Sequence, residues 1–78
     1  MKYVYFLKCS DGKTYTGSTG NVEQRLIAHR NGEVSFTKSR LPVELITYIA
    51  FSDRQKAYDF ERYAKSGSGI AFARKRFF

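Results

Sequence analysis

Five residues of the sequence carry side chains that can transfer a proton or bind a phosphate. Tyr5 and Tyr15 carry phenols, which ordinarily lose their proton only at about pH 10. Arg25 carries a guanidinium group that can hold one phosphate through two parallel hydrogen bonds, and His29 is the only histidine. Glu61 lies beside the apolar face of a predicted helix, where a carboxylate is costly unless it is paired or binds a metal.

Both tyrosines fall in a predicted β-hairpin. Residues Tyr3–Cys9 are rich in aromatic and β-branched side chains, which predicts a strand. Residues Ser10–Lys13 contain Asp-Gly, which tolerates a tight reversal, and Thr14–Ser18 predicts a second strand. Tyr5 and Tyr15 therefore lie on neighbouring strands. The alternative to a chemical role is that both tyrosines pack against the sheet, with their hydroxyls at the rim of the core.

A helix is predicted directly after the hairpin, over Val22–Arg30. Asn21 and the glutamine three residues later form a helix-start signature, and Asn31-Gly32 is a helix-stop pair. Arg25 and His29 are four residues apart and lie on one side of this helix. An exposed arginine is commonly only a solvated charge, and a lone histidine beside an apolar stripe commonly packs. Both alternatives stay open here.

Glu61 falls on a second predicted helix. The capping signature Ser52–Gln55 opens this helix, which runs to about Lys65. An ion pair between Glu61 and either Lys65 or Arg62 is the alternative to metal binding.

The remaining segments complete an α+β pattern in the order β-β-α-β-α-α. Residues Glu33–Pro42 predict a surface loop, and Val43–Phe51 predicts a third strand, placed at the centre of the sheet because apolar residues continue along it. Residues Lys65–Gly69 predict a turn, with a phosphate-cradling loop as the weaker alternative, and Ile70–Phe78 predicts a short final helix. The prediction is a small three-stranded, mainly antiparallel sheet flanked by helices, in one domain spanning residues 1–78.

The charge balance favours a polyanionic partner. The chain carries 14 Lys and Arg residues against 7 Asp and Glu residues, a formal net charge of +7. Nucleic acid is the first candidate and an anionic membrane surface the second. No secretory signal and no apolar run of about 18 residues is present, so no membrane span is predicted. The single cysteine, Cys9, excludes an internal disulfide and a multi-cysteine zinc site, and a packing role in a reducing cytoplasm is expected.

Two short tyrosine motifs followed by a helical arginine resemble the signature of the GIY-YIG nuclease superfamily. Tyr3-Val4-Tyr5 corresponds to the first motif, with Tyr3 in place of glycine, and Tyr15-Thr16-Gly17 corresponds to the second, with Thr16 in place of isoleucine. Arg25, His29 and Glu61 follow at familiar spacing. The chain is most similar to small single-domain members, related to the nuclease domain of the bacterial excision-repair endonuclease.

The resemblance implies an endonuclease that cuts DNA with low sequence specificity, in repair or recombination. Tyr5 takes the position of the family's general base, or of a residue that orients the attacking water, and Tyr15 supports it by hydrogen bonding. Gly17 lets the backbone approach the site closely.

The resemblance also implies a phosphate and metal site. Arg25 and His29 would contact the phosphate, and Glu61 would hold one divalent ion, Mg²⁺ or Mn²⁺. Basic residues expected to contact the nucleic-acid backbone are Lys38, Arg40, Lys65, Arg74, Lys75 and Arg76. The competing hypotheses are a non-catalytic nucleic-acid-binding module and a subunit that needs a targeting protein partner. A monomer or weak dimer is expected.

Overall fold

A computed structural model describes all 78 residues of the chain. Its elements follow the predicted order: β1 (Lys2–Cys9), β2 (Thr14–Thr19), α1 (Val22–Arg30), β3 (Val43–Phe51), α2 (Arg54–Ala64) and α3 (Gly67–Arg76). The predicted α+β class and the three-stranded antiparallel sheet are confirmed. No helix is both long enough and apolar enough to cross a membrane.

The strand order is β2-β1-β3, so β1 occupies the centre of the sheet. The prediction that β3 is central is wrong. The apolar run of β3 is misleading because this strand pairs only with β1, and Tyr48 on it is about half exposed beside the ring of Tyr3. By contrast, residues 4–7 of β1 are almost fully buried.

Alternating side chains of β1 enter two separate cores. Val4 and Phe6 pack against α2 and α3, where Ala57, Ala64 and Ala73 allow the helices to come close to the sheet. Truncation of a buried side chain such as Phe6 to alanine costs about 3–5 kcal/mol.

The core on the other face contains Tyr5, Leu7 and Cys9, with Leu26 of α1 packed against it. Cys9 is buried, as predicted, and burial raises the pKa of its thiol.

The helix α3 begins at Gly67 rather than at the predicted Ile70, so the turn after α2 is shorter than predicted. The hydroxyl of Ser66 caps α3 by accepting a hydrogen bond from the Gly69 amide at 3.2 Å. A Cβ on Gly69 would collide with the backbone of Tyr63 and Ala64. These residues therefore join two tightly packed helices, and the Ser66 hydroxyl is already used as a cap.

Candidate active site

Tyr5 lies at the centre of a hydrogen-bonded cluster on the face of the sheet that α1 covers. Its position in the central strand leaves the side chain only 2% exposed. Its hydroxyl lies 2.8 Å from Nε2 of His29, and Nε of Arg25 donates a hydrogen bond to it at 3.4 Å. Arg25 and His29, one turn apart on α1, therefore meet the same phenol.

The hydrogen-bond partners guide the assignment of protons in this cluster. Arg25 can only donate, so the Tyr5 oxygen accepts from it, and we assign the Tyr5 proton to the contact with Nε2 of His29. Nδ1 of His29 lies 2.7 Å from the hydroxyl of Thr37, which itself donates to the carbonyl of Val34 at 3.5 Å. We therefore assign the neutral ring as the tautomer that donates from Nδ1 and accepts at Nε2. We call Tyr5, Arg25, His29 and Thr37 the tyrosine cluster.

Burial keeps the centre of this cluster neutral. It raises the pKa of Tyr5 to about 12, against the opposing hydrogen bond from Arg25. Burial, helped by the charge of Arg25, lowers the pKa of His29. The hydrogen bond to Tyr5 raises the pKa of Arg25, which stays charged. At neutral pH the cluster therefore holds a phenol and an imidazole, both uncharged, beside one guanidinium.

Tyr15 and Gly17 complete this side of the site. Tyr15 is half-buried, and its ring centroid lies 5.0 Å from that of His29 and 6.1 Å from that of Tyr5. Gly17 faces Tyr5 in the antiparallel register, and a Cβ there would lie 2.6 Å from the Tyr5 hydroxyl. The second tyrosine motif thus provides both the ring beside the imidazole and the space above the Tyr5 oxygen.

Glu61 lies on the opposite face of the sheet, on α2. The hydroxyl of Ser18 donates to its Oε1 at 2.8 Å, and the Lys65 ammonium lies 3.1 Å from its Oε2. The ion pair with Lys65 that the sequence left open is therefore present, and the side chain of Glu61 is 18% exposed. Arg62 does not pair with it and lies over the ring of Tyr58. We call Ser18, Glu61 and Lys65 the carboxylate cluster.

The strand β2 connects the two clusters. Gly17 contacts the tyrosine cluster, whereas the next residue, Ser18, hydrogen-bonds to Glu61. The Cα atoms of these consecutive residues are about 3.8 Å apart, and the two positions point to opposite faces of the sheet. Because β2 is an edge strand, its outer side is open. A cavity of about 290 Å³ there is lined by residues from both faces. They are Thr14, Tyr15, Thr16, Phe36, Ala64, Lys65 and Ile70.

No group of three or more His, Cys, Asp or Glu side chains converges anywhere in the structure, so an ion at the predicted ligand Glu61 would have at most two such donors. A lone carboxylate suits Mg²⁺, which keeps several water ligands and takes others from phosphate oxygens. The residues present therefore fit a weakly held ion, for which Lys65 is the competing cation.

Comparison with known proteins shows the family to which this chain belongs. The family model described as the GIY-YIG catalytic domain matches residues 1–70. The chain belongs to the GIY-YIG family. The domain is 44% identical over 66 residues to the UPF0213 protein CPE1444 of Clostridium perfringens, covering 83% of this chain and 71% of that protein.

Two further proteins extend this similarity. The UPF0213 protein HQ_3675A of Haloquadratum walsbyi is 42% identical over 65 residues, covering 82% of this GIY-YIG domain and 73% of that protein. The solution NMR structure of the UPF0213 protein BH0048 from Bacillus halodurans superposes with a TM-score of 0.61 at 33% identity. That match covers 96% of this chain and 84% of the other.

The six basic residues predicted to contact nucleic acid differ in whether they form ion pairs within the GIY-YIG domain. Arg40 is paired with Asp11 at 3.1 Å, donates to the carbonyl of Phe36 at 2.6 Å and lies over the Phe36 ring. Lys65 is paired with Glu61. The remaining four are exposed and take part in neither ion pair, and one of them, Arg76, lies over the ring of Phe72: Lys38, Arg74, Lys75 and Arg76.

Two polar residues of the site were not among the predicted site residues. Ser18 follows the second motif, and strand alternation opposite Gly17 could have directed it towards α2. Thr37 is 0% exposed although it lies in the predicted surface loop. Its hydrogen bond with His29 joins this loop to α1, and no local pattern signals it.

Proposed function

We propose that this GIY-YIG domain is a metal-dependent endonuclease that hydrolyses DNA phosphodiester bonds with low sequence specificity. The observation that carries the proposal is the directed hydrogen-bond chain from Arg25 through Tyr5 to His29. It places a cation, a phenol and a neutral proton acceptor in contact. Repair or recombination is the setting that the resemblance to the excision-repair nuclease domain suggests.

The chain offers a route for the proton of the attacking water. With a pKa of about 12, Tyr5 is a phenolate in only about one molecule in 10⁵ at pH 7. Tyr5 therefore acts as a relay: it takes a proton from water while its own proton passes 2.8 Å to Nε2 of His29. The water oxygen bonds to phosphorus, the bond to the leaving oxygen breaks, and that oxygen takes a proton from solvent. The His29 imidazolium returns its proton to Tyr5, and Tyr5 releases the proton taken from water to solvent, which restores the neutral pair.

Arg25 serves as the phosphate-binding group. Its Nε donates to the Tyr5 hydroxyl, and the guanidinium also interacts with the hydroxyl of Tyr15. An exposed guanidinium oriented by two phenols is suited to bind a phosphate. The same contact that orients Arg25 thus places the phosphate close to Tyr5.

Glu61 serves as the metal ligand, with Ser18 fixing one of its oxygens. When bound there, Mg²⁺ or Mn²⁺ supplies charge neutralisation at the leaving oxygen. Lys65 must give up Oε2 of Glu61 or share it, and an exposed ion pair of this kind is weak enough to exchange.

The pairing of Glu61 with Lys65 is also the observation that favours the competing function, a non-catalytic DNA-binding module. In that case the carboxylate of Glu61 would only stabilise the contact with Ser18 and Lys65. The net charge of +7 would by itself account for DNA binding.

The test is DNA cleavage with supercoiled, branched and single-stranded substrates in Mg²⁺, Mn²⁺ or EDTA. We expect metal-dependent cutting by the wild type that Glu61→Gln abolishes and that Glu33→Gln, an exposed acid in the loop, leaves intact. Absence of cutting with retained, salt-sensitive DNA binding would reject the nuclease proposal. It would then favour a binding module or a subunit that depends on a targeting partner, which a pull-down would search for.

A further inference from the structure

A cationic cavity lies at the beginning of α2, next to the carboxylate cluster. It has a volume of about 430 Å³ and is lined by Lys2, Ser18, Arg54, Gln55 and Tyr58. A second cavity, of about 400 Å³, shares Lys2 and Arg54 with it. Two cations from distant parts of the chain thus border adjoining depressions on one surface.

The positive charge of this cavity is not neutralised within the protein. Lys2 and Arg54 take part in neither of the two ion pairs of the structure, and no acidic residue lines the cavity. The acids nearest in sequence are engaged elsewhere: Asp53 caps α2, and Asp59 accepts a hydrogen bond from Gln55 at 2.9 Å. The cavity therefore attracts an anion more strongly than the surface around Arg40, whose charge is paired.

The cavity is continuous with the carboxylate cluster. Ser18 lines it and also donates to Glu61. Arg54, Tyr58 and Glu61 follow one another at i, i+4 and i+7 on one face of α2. A rise of 1.5 Å per residue places Arg54 about 10 Å from Glu61 along the helix axis. This separation is about three base-pair steps of 3.4 Å.

We propose that Lys2 and Arg54 form a phosphate-binding subsite for the DNA backbone, a few nucleotides from the bond that is cut. The subsite deepens the proposed nuclease function and rests on it. It sets where the strand enters the site, because a phosphate held there directs the chain past Ser18 towards Glu61. Such a contact carries no sequence information, which agrees with low specificity.

Salt-dependent binding tests the subsite separately from catalysis. The background is Glu61→Gln, and the probe is a duplex of about 20 base pairs of mixed sequence. Lys2→Ala/Arg54→Ala is compared with Lys13→Ala/Arg30→Ala, which removes the same charge from exposed positions that line no cavity. We expect the slope of log K against log salt to fall by about 1.8 in the first pair, or about 0.9 per phosphate contact, and by less than about 0.5 in the control.

Cleavage kinetics provide the second measurement. In the protein that retains Glu61, Lys2→Ala/Arg54→Ala should raise KM for DNA about tenfold and change kcat less than about threefold, since a remote contact contributes uniform binding. Lys2→Gln/Arg54→Gln, which removes the charge but keeps a long polar side chain, repeats the test if the alanine pair does not fold.

The outcomes separate the two proposals. Cleavage by the wild type with equal salt slopes in both double variants rejects the subsite and retains the nuclease. Absence of cleavage, together with the expected loss of slope, rejects the nuclease and retains the phosphate site. Failure of the Glu61→Gln protein to bind DNA at low salt rejects both.

Discussion

The two faces of the sheet hold their reactive groups in opposite ways. On the α1 face, Tyr5, His29 and Thr37 are buried, each of their buried polar side-chain atoms has a hydrogen-bond partner, and burial shifts the pKa of both Tyr5 and His29. On the α2 face, Glu61 is partly exposed, and its charged partner is a flexible, half-exposed lysine. Burial therefore fixes the geometry and the protonation states in the tyrosine cluster. In the carboxylate cluster, Glu61 can exchange Lys65 for another cation.

The largest effect should follow from removal of the Tyr5 hydroxyl. We expect Tyr5→Phe to lower kcat by about 10²–10⁴ because the proton route to His29 is lost, while DNA affinity stays near the wild type. Single-turnover cleavage and a binding titration measure the two quantities. Tyr15→Phe keeps the ring contacts and should cost far less. A larger loss in Tyr15→Phe than in Tyr5→Phe would make the more exposed phenol the water-activating group.

A smaller effect concerns stability, which should fall in mild acid because His29 is buried and uncharged. Its pKa is lowered in the folded protein, so below about pH 6.5 the unfolded chain binds a proton that the folded chain does not. The contribution of the uncharged His29 to the free energy of unfolding is therefore fully present above about pH 6.5. It falls below that value by at most about 1.4 kcal/mol per pH unit. Denaturant unfolding at about pH 7.5 and 5.5 measures the decrease in the free energy of unfolding. This decrease should be smaller in His29→Gln. Equal falls in both proteins would contradict this assignment.

The smallest effect should come from Lys65, the exchangeable partner. Removal of a cation 3.1 Å from Glu61, the proposed metal ligand, should favour metal binding, so Lys65→Ala should lower the Mg²⁺ concentration for half-maximal cleavage by less than about tenfold. Lys56→Ala, also an exposed position of α2, is the control. An unchanged or higher requirement for Mg²⁺ in Lys65→Ala would show that the lysine does not compete with the ion.

Local chemistry explains why most elements were predictable from the sequence. The Asp-Gly turn and the caps Asn21 and Asp53 are signals within a few residues, and the hairpin, α1 and α2 begin where these signals place them. The strand order was not predictable, because an apolar run does not tell which strand has two neighbours. The contacts of Thr37 with His29 and of Ser18 with Glu61 join residues that no local pattern relates.

The central position of β1 also governs the order in which the domain can assemble. Its partner β2 follows after a four-residue turn, whereas β3 pairs Phe51 with Lys2, 49 residues away in the chain. Closing the longer loop costs more chain entropy, so the hairpin is expected to form first and β3 to join later. The motif tyrosines are thus brought together early. Glu61 reaches Ser18 only when α2 docks, so the carboxylate cluster is expected to form after the hairpin.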